Sequence, residues 1–318
     1  MAERVALIVN PAATRVRPAL IQRVIDVLGP LAPADVASTG HAGHGGALAT
    51  AAAGRGATLV VVLGGDGIVN EVASALAGSD VGVAPLAAGS TNVFSRALGW
   101  PHPAVAALPL LAAAIRSPAW RDVRIGRVIA GATDQVFCVN VGVGIDADAV
   151  QIVEARPWLK RRLRHAGFGV ATVAAAVRGA RNPSSLVATV DGGDPMALTS
   201  LIAACAAPYA YFGPRPLDLV PGADFGDRLR WLGLRSSSLR PVAGVIGGAL
   251  RGGRHLGQRM VIDGWAAAEI RVESDRPTAV QADGEPLGWH TRIRITPGPH
   301  LRVLRPPDEE AASPTQRR

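Results

Sequence analysis

The sequence predicts an α/β fold followed by a mainly antiparallel β region, and three observations lead to this prediction. Strands and helices alternate up to about residue 100. The strands there are continuous apolar runs, which is typical of a parallel sheet covered on both faces. After about residue 120 the strands become shorter, and several alternate apolar with polar residues. We therefore predict an N-terminal parallel-sheet α/β domain with a second, mainly antiparallel β domain.

The first hundred residues contain four strand-and-helix units. Apolar residues at helical spacing identify the helices, and Gly or Pro ends several of them. The predicted strands are residues 5–9, 36–39, 58–63 and 81–86. The predicted helices are residues 18–28, 47–53 and 69–78, with a short helix ending at Gly99.

The second half has shorter strands and one helical stretch. Predicted strands lie in residues 136–143, 186–190, 269–272 and 292–295, and Asp191-Gly192-Gly193 is a hairpin-turn signal. The helical stretch runs from about residue 148 to 179, with a break at Pro157. These features predict a first domain over residues 1–122 and a second over 123–289. A return of the last strands, about 290–305, to the first domain stays open, and residues 306–318 are expected to form a disordered tail.

Composition narrows the functional classes. The 318 residues carry a formal net charge of +8, which favours polyanionic partners such as nucleic acid, an acidic membrane surface or phosphorylated ligands. Two cysteines cannot build a disulfide framework, so we expect a reducing, cytoplasmic setting. No apolar run reaches the roughly 18 residues that a membrane span requires. The basic run of residues 156–165 fits a solvated helix start or a membrane-touching patch.

A glycine-rich loop follows the third strand. Gly64-Gly65-Asp66-Gly67, with Asn70-Glu71 after it, lies where an apolar strand ends and a helix begins. Glycines there let the backbone approach a ligand and leave N–H groups at the positive helix end, an arrangement that binds phosphate. Asp66 would repel phosphate unless a cation lay between them, so it indicates a Mg²⁺ contact. A bare turn with Asp66 as a helix cap would explain the same residues.

A second loop, Gly89-Ser90-Thr91-Asn92, follows the next apolar strand. Both loops should lie at the carboxyl edge of the parallel sheet, where such sheets bind ligands. Taken alone, Ser-Thr-Asn is typical of a helix N-cap. Together with the first loop, it predicts the other wall of a nucleotide site.

These motifs resemble a known family. Gly64 to Val72 resembles the Gly-Gly-Asp-Gly-Thr-x-Asn-Glu-Val signature of the diacylglycerol kinase catalytic domain, which bacterial diacylglycerol kinases share with sphingosine and ceramide kinases. The resemblance extends from Val9-Asn10-Pro11 to about Leu304, with its motifs in the same order and spacing. The further motifs are Thr39 with Gly43-His44, Pro85-Leu86 with the segment from Gly89 to Arg96, Asn140 with the segment from Gly144 to Asp148, and Asp283-Gly284-Glu285.

The resemblance implies a two-domain kinase in which ATP and a lipid meet in the cleft between the domains. Glu285 would be the general base, and Asp66 would also act in catalysis through Mg²⁺. Asp227, Asp224 and the carbonyl of Leu229 would form a structural Mg²⁺ site. By similarity, the residues that contact ATP would be Asn10, Thr39, Gly64, Gly65, Asp66, Gly67, Asn70 and Ser90, and Glu71, Gly89, Thr91 and Asn92 complete the candidate loops.

The chain departs from the family pattern at several positions. Ile68 replaces the usual Thr of the first loop, and Val93 replaces an Asp that many bacterial members carry. Ala12-Ala13 replaces Ser-Gly after Asn-Pro. The usual Asp-Asp-Gly near the structural metal becomes Gly226-Asp227-Arg228. The nucleotide loops are therefore closer to the family pattern than the metal site is.

Together with the residues, the resemblance implies an ATP- and Mg²⁺-dependent lipid kinase of phospholipid biosynthesis, with diacylglycerol as the leading acceptor and phosphatidic acid as its product. Sphingoid bases, phosphatidylglycerol-like lipids and other amphiphilic alcohols stay open as acceptors. We expect peripheral contact with the inner face of the membrane, favoured by anionic lipid, and no nucleic-acid partner; a homodimer stays open. One alternative is an NAD kinase-like phosphotransferase, which also carries Gly-Gly-Asp-Gly, although Asn70-Glu71 and Asp283-Gly284-Glu285 argue against it. Another is a non-catalytic lipid- or nucleotide-binding protein on the same fold.

Overall fold

A computed structural model describes residues 4–31, 34–154, 185–212 and 215–307. The chain divides into two compact units. Unit 1 comprises the residues up to Val123 and those from His300 onward, and unit 2 is Arg124–Pro299. The basic run of residues 156–165, the predicted helical stretch beyond residue 154 and the predicted tail beyond residue 307 lie outside the described residues.

Unit 1 alternates strands and helices along a parallel sheet, as predicted. β1 pairs in parallel with β2 and with β3, and β3 pairs in parallel with β4. The strands are β1 (Val5–Val9), β2 (Ala34–Ser38), β3 (Leu59–Gly64) and β4 (Gly82–Ala87), and the helices are α1 (Pro18–Leu28), α2 (His44–Gly54), α3 (Asp66–Leu76), α4 (Val93–Ala97) and α5 (Ala104–Arg116).

The core of unit 1 explains why its strands are uninterrupted apolar runs. β1, β3 and β4 are buried along their whole length, so both faces of the sheet are covered. Apolar residues of α1 and α5 pack in one cluster with β1 and β3. Burial on this scale, at about 25 cal/mol per Å² of apolar surface, is the main stabilising contribution to such a unit.

Unit 2 is mainly antiparallel, which confirms the second part of the predicted fold class. The first strand of unit 2 begins in unit 1, and its last strand ends in unit 1. The strands are β5 (Trp120–Ala130), β6 (Thr133–Phe137), β7 (Asn140–Gly144), β8 (Leu186–Val190), β9 (Met196–Leu198), β10 (Ser200–Ala204), β11 (Ala210–Phe212), β12 (Arg215–Leu217), β13 (Leu229–Leu234), β14 (Val261–Ala266), β15 (Ile270–Ala282) and β16 (Glu285–Leu304). The helices are α6 (Ile145–Glu154) and α7 (Leu239–Ala249).

Antiparallel pairs in unit 2 follow the spatial order β14, β13, β10, β7, β15 and β16. The Asp191-Gly192 turn joins β8 to β9 as a hairpin, and both turn residues have positive φ. At the far end of β16, Val303 pairs in parallel with Val83, so the end of the chain's last long strand adds to the sheet of unit 1.

Helix α7 has no counterpart in the sequence prediction. It contains Pro241, Gly244, Gly247 and Gly248, residue types that weaken a helical signal. The helix nevertheless packs Val242 and Val245 against the unit 2 core, so tertiary burial overrides the poor propensity. No helix in the described part of the chain is long and apolar enough to cross a bilayer.

Candidate functional site

Unit 1 brings the predicted nucleotide-binding segments to one edge of its sheet. Asn10 follows β1, Thr39 follows β2, Gly65 follows β3 and Gly89 lies just beyond β4. These four strands run parallel, so their carboxyl ends meet at the same edge, where ligands of parallel sheets bind.

The two glycine-rich loops are in direct backbone contact. A methyl group placed on Gly89 would lie 2.5 Å from the Cα atom of Gly65. On the other side of the first loop, a methyl group on Gly64 would lie 2.4 Å from Cγ2 of the buried Ile68. A side chain at Gly89 would therefore push the two loops apart, whereas one at Gly64 would displace the side chain of Ile68 in α3.

Helix α3 points its first turn into this edge. Its N-cap is Gly65, and no side chain caps the helix. The first N–H groups of a helix lack partners within the helix and carry a partial positive charge, which suits a phosphate group. Asp66 begins the helix, and its Oδ1 accepts a hydrogen bond from the N–H of Phe94 at 3.2 Å. Asp66 therefore holds the start of α4 and does not cap α3, the helix that it begins, and its Mg²⁺ contact stays a prediction.

The buried side chain of Asn92 closes the second loop through two hydrogen bonds to Gly89. Asn92 adopts a left-handed conformation, and its side chain both accepts from the N–H of Gly89 at 2.8 Å and donates to the carbonyl of Gly89 at 3.0 Å. Its side-chain amide lies inside the loop and shapes it. Ser90 is exposed and Thr91 is half-buried, so their hydroxyl groups are better placed than Asn92 to meet a ligand.

Two arginines give this loop a positive surrounding that sequence reasoning did not assign to the site. The Arg15 guanidinium donates to the carbonyl of Gly89, and its backbone N–H donates to Ala88. Burial, together with the charges of Arg15 and Arg96, lowers the pKa of His102 below its usual value. A neutral His102 beside two guanidinium groups leaves net positive charge at the loop, which favours an anionic ligand.

Glu71 has a local structural role in the same edge. Its carboxylate accepts from the N–H of Gly43 at 2.7 Å and from that of Gly45 at 2.8 Å. These bonds cap α2, which therefore begins at His44 rather than at the predicted Ala47. Glu71 thereby positions the turn after Thr39, and its contact with ATP stays a prediction, as does that of the half-buried Asn70.

In unit 2, Glu285 follows a two-residue hairpin turn. Asp283 and Gly284 both have positive φ, and Ala282 pairs with Glu285 across the turn. This is the geometry that Asp-Gly favours. The Asp283 carboxylate accepts from the N–H groups of Cys138, Val139 and Asn140 at 2.6–3.0 Å. These three hydrogen bonds hold the turn in place, and Glu285 is exposed at the start of β16.

A buried polar network lies beside this anchor. Gln281 accepts from the N–H of Gly284 at 2.8 Å and donates to Asp146 at 2.7 Å, and the Tyr209 hydroxyl donates to the other oxygen of Asp146. Burial raises the pKa of Asp146, against the opposing effect of these donors. The network fixes the turn that presents Glu285, and no motif in the sequence marks Tyr209 as part of it.

The predicted structural metal ligands have other partners. Asp227 Oδ1 accepts from Nε and Nη2 of Arg124, both at 2.9 Å, and Arg124 Nη1 donates to the carbonyl of Gly298. Asp224 accepts from the N–H of Gly226 at 3.1 Å, and Leu229 lies in β13. The guanidinium group supplies the positive charge beside Asp227 and would repel a cation. Within the described ranges, no three His, Cys, Asp or Glu side chains form a group that could hold a metal.

These contacts do not fit a structural Mg²⁺ at Asp227. We therefore expect the nucleotide-free protein to melt at the same temperature in EDTA and in millimolar Mg²⁺. A cation present at a hundred times its Kd would raise the free energy of unfolding by about 2.7 kcal/mol, which raises Tm by several degrees. Differential scanning calorimetry measures the shift. A drop of that size on chelation, abolished in the Asp227→Asn protein, would restore the predicted metal site.

Family models match almost the whole chain. The model of the diacylglycerol kinase catalytic domain matches residues 4–128, and that of the YegS C-terminal NAD kinase beta sandwich-like domain matches residues 139–305. The second match alone covers more than half of the 318 residues, and the two follow one another in the order that the resemblance predicts. The chain belongs to the family that joins a diacylglycerol kinase catalytic domain to a YegS-type C-terminal domain.

Solved structures of this kinase family share the fold. A crystal structure of a diacylglycerol kinase from Bacillus anthracis strain Sterne matches with a TM-score of 0.67 and 19% identity, over 96% of this chain and 97% of that one. Two further structures from the same strain match with TM-scores of 0.73 and 21% identity, over 96% and 95% of this chain and 98% and 97% of theirs. No curated protein sequence matches the chain. At this identity the structures establish the fold.

Proposed function

We propose that this kinase-family protein transfers the γ-phosphate of ATP to the hydroxyl group of a membrane lipid, with diacylglycerol as the acceptor and phosphatidic acid as the product. The observation that supports it most is the contact of Gly65 with Gly89 at the N-terminus of α3. That contact brings two backbone loops and a positive helix end together where a polyphosphate would lie.

In this proposal unit 1 binds the nucleotide. The N–H groups at the start of α3 and the loop of Gly89 hold the phosphates, and Arg15 and Arg96 add positive charge beside that loop. Asp66 would hold Mg²⁺, which supplies charge neutralisation for the transferred phosphoryl group. The remaining predicted contacts, Asn10 and Thr39, lie on the same sheet edge.

Glu285 acts on the acceptor. Its carboxylate takes the proton of the lipid hydroxyl as the oxygen forms a bond to the γ-phosphorus, and the bond between that phosphorus and the β,γ-bridging oxygen breaks to release ADP. Such a base must be held in place, and the three N–H bonds to Asp283 fix the turn beside it. Phosphoryl transfer asks little more of the protein than this base, the phosphate donors and the cation.

The test is to incubate the full-length protein with γ-labelled ATP, Mg²⁺ and a total lipid extract, and to identify the labelled product. We expect label in phosphatidic acid, dependent on Mg²⁺ and on added diacylglycerol. NAD is included as a competing acceptor, because the matched model of residues 139–305 describes an NAD kinase-like sandwich. Labelled NADP without labelled lipid would favour the NAD kinase-like alternative. ATP binding with no labelled acceptor would favour a binding protein.

A further inference from the structure

Helix α7 packs on one face of the unit 2 sheet, against its edge strand β14. Val242 and Val245 of α7 share a core cluster with Leu234 of β13 and with Val261 of β14. Side chains alternate between the two faces of a strand, so Trp265, four residues after Val261, points to the same face as α7. The outer side of this face is therefore formed by α7 and Trp265 together.

Trp265 and the loop that follows α7 form one continuous surface. A methyl group placed on Gly253 would lie 2.9 Å from Cγ of Pro221, and one on Gly222 would lie 3.9 Å from Cζ2 of Trp265. The segment Pro221-Gly222 thus contacts both sides. Arg230 supports the junction, since its Nε donates to the carbonyl of Pro221 at 3.1 Å.

This surface exposes large apolar side chains. Trp265 is 37% exposed, and Leu239 and Leu250, at the two ends of α7, are each 45% exposed. Leu239 and Leu250 are 11 residues apart, close to three helical turns, so both lie on the solvent side of the helix. We call Trp265, Leu239, Leu250 and the neighbouring exposed arginines the Trp265 surface.

Positive charge surrounds these apolar side chains. Residues 228–262 contain seven arginines and no aspartate or glutamate, and the carboxylate of the following Asp263 pairs with the buried Arg230, so the exposed arginines keep a net positive charge. Arg228 and the buried Arg230 place their guanidinium groups over the Trp265 ring at 5.1 and 5.3 Å from its centroid. The exposed arginines of this stretch are Arg228, Arg235, Arg240, Arg251, Arg254 and Arg259.

We propose that the Trp265 surface docks this protein on an anionic lipid bilayer. The inference rests on the proposed function, because a lipid kinase must reach a substrate held in a membrane. An indole ring is amphipathic and prefers the headgroup level, and leucines beside it can enter the acyl boundary. Arginines are attracted to the negative surface charge of an anionic bilayer, so charge complementarity selects this occupant.

The test measures partition of the full-length protein, without ATP, onto phosphatidylcholine vesicles with and without phosphatidylglycerol. We expect binding only to the anionic vesicles, weakening as salt rises. Trp265→Ala/Leu250→Ala should lower the partition coefficient by about tenfold or more, through lost apolar burial. Arg251→Glu/Arg254→Glu should lower it at least as much, since both side chains are exposed and the core is unchanged.

Matched controls are Trp289→Ala and Arg292→Glu, which alter exposed residues of β16 outside the Trp265 surface. Both should bind vesicles as the wild type does, and circular dichroism melting confirms that each variant is folded. Equal losses in the controls and in the surface variants would overturn the inference. A dimer that Trp265→Ala dissociates, with no vesicle binding, would also overturn it, because a second copy would then occupy the surface.

The failure of this inference is separable from that of the proposed function. Activity on diacylglycerol in mixed micelles, with surface variants as active as wild type on anionic vesicles, would leave the kinase proposal intact and reject the docking surface. Vesicle binding that depends on Trp265, with no lipid phosphorylated, would support the docking surface and reject the kinase proposal.

Discussion

Glu285→Gln is expected to lower kcat for lipid phosphorylation by about 10²- to 10⁴-fold, the usual contribution of a positioned general base. Glutamine has nearly the same shape but cannot accept the hydroxyl proton at neutral pH. Glu285 is exposed and its turn is anchored through Asp283, so the variant should fold normally and bind ATP with unchanged affinity. Steady-state kinetics with diacylglycerol in mixed micelles, alongside calorimetric titration of ATP, measure both quantities.

Glu273→Gln is the matched control for this substitution. Glu273 is an exposed carboxylate on β15 of the same unit, so its replacement removes the same charge away from the turn. We expect its kcat to stay within about twofold of wild type. If Glu285→Gln retained a kcat within about threefold of wild type, Glu285 would not be the base, since a base that contributes so little is outside the usual range.

Gly89→Ala is expected to destabilise unit 1 and to weaken ATP binding together. The new methyl group would lie 2.5 Å from the Cα atom of Gly65 and 2.9 Å from Oδ1 of Asn92. The first contact is with backbone, which cannot rotate away, so the two loops must separate. Overpacking of this kind costs about 1–3 kcal/mol. Separation of the loops should also raise the Kd for ATP by about tenfold or more, since misplaced donors no longer share the phosphates.

Gly54→Ala is the control for this prediction. Gly54 ends α2, has an ordinary φ, and a methyl group there would meet nothing within 4 Å. Alanine should therefore leave ATP affinity unchanged and raise stability by up to about 1 kcal/mol. Thermal unfolding and nucleotide titration of both variants are the measurements. Unchanged melting and unchanged ATP affinity in Gly89→Ala would show that the loops do not depend on this contact.

Much of the sheet edge that carries the predicted nucleotide-binding loops could be predicted, because its sequence signals are local. The apolar run of β3 and the glycines after it identify a strand, a turn and a helix start within a dozen residues. The same applies to the Asp283-Gly284 hairpin turn. The family motifs supplied the order of these segments, and the parallel pairing of β1, β3 and β4 then places them at one edge.

Long-range partners could not be predicted in the same way. Glu71 caps a helix 28 residues earlier, Asp227 pairs with Arg124 103 residues earlier, and Asp283 binds the N–H of Cys138 145 residues earlier. A carboxylate in a motif fits catalysis, metal binding or capping equally well until its neighbours are known. For this reason the sequence could assign Glu71 to ATP and Asp227 to a metal but could not show that Glu71 caps α2 and that Asp227 pairs with Arg124.

By itself, the sequence determined the fold class and the two glycine-rich loops, because hydrophobic periodicity and turn chemistry act over a few residues. The order and spacing of its motifs indicated the family by resemblance. Only the tertiary structure decided which donors each carboxylate meets, how closely Gly65 approaches Gly89, and that helix α7 exists among its glycines. These features depend on contacts between segments far apart in the chain, and such contacts form only when burial of the core brings the segments together.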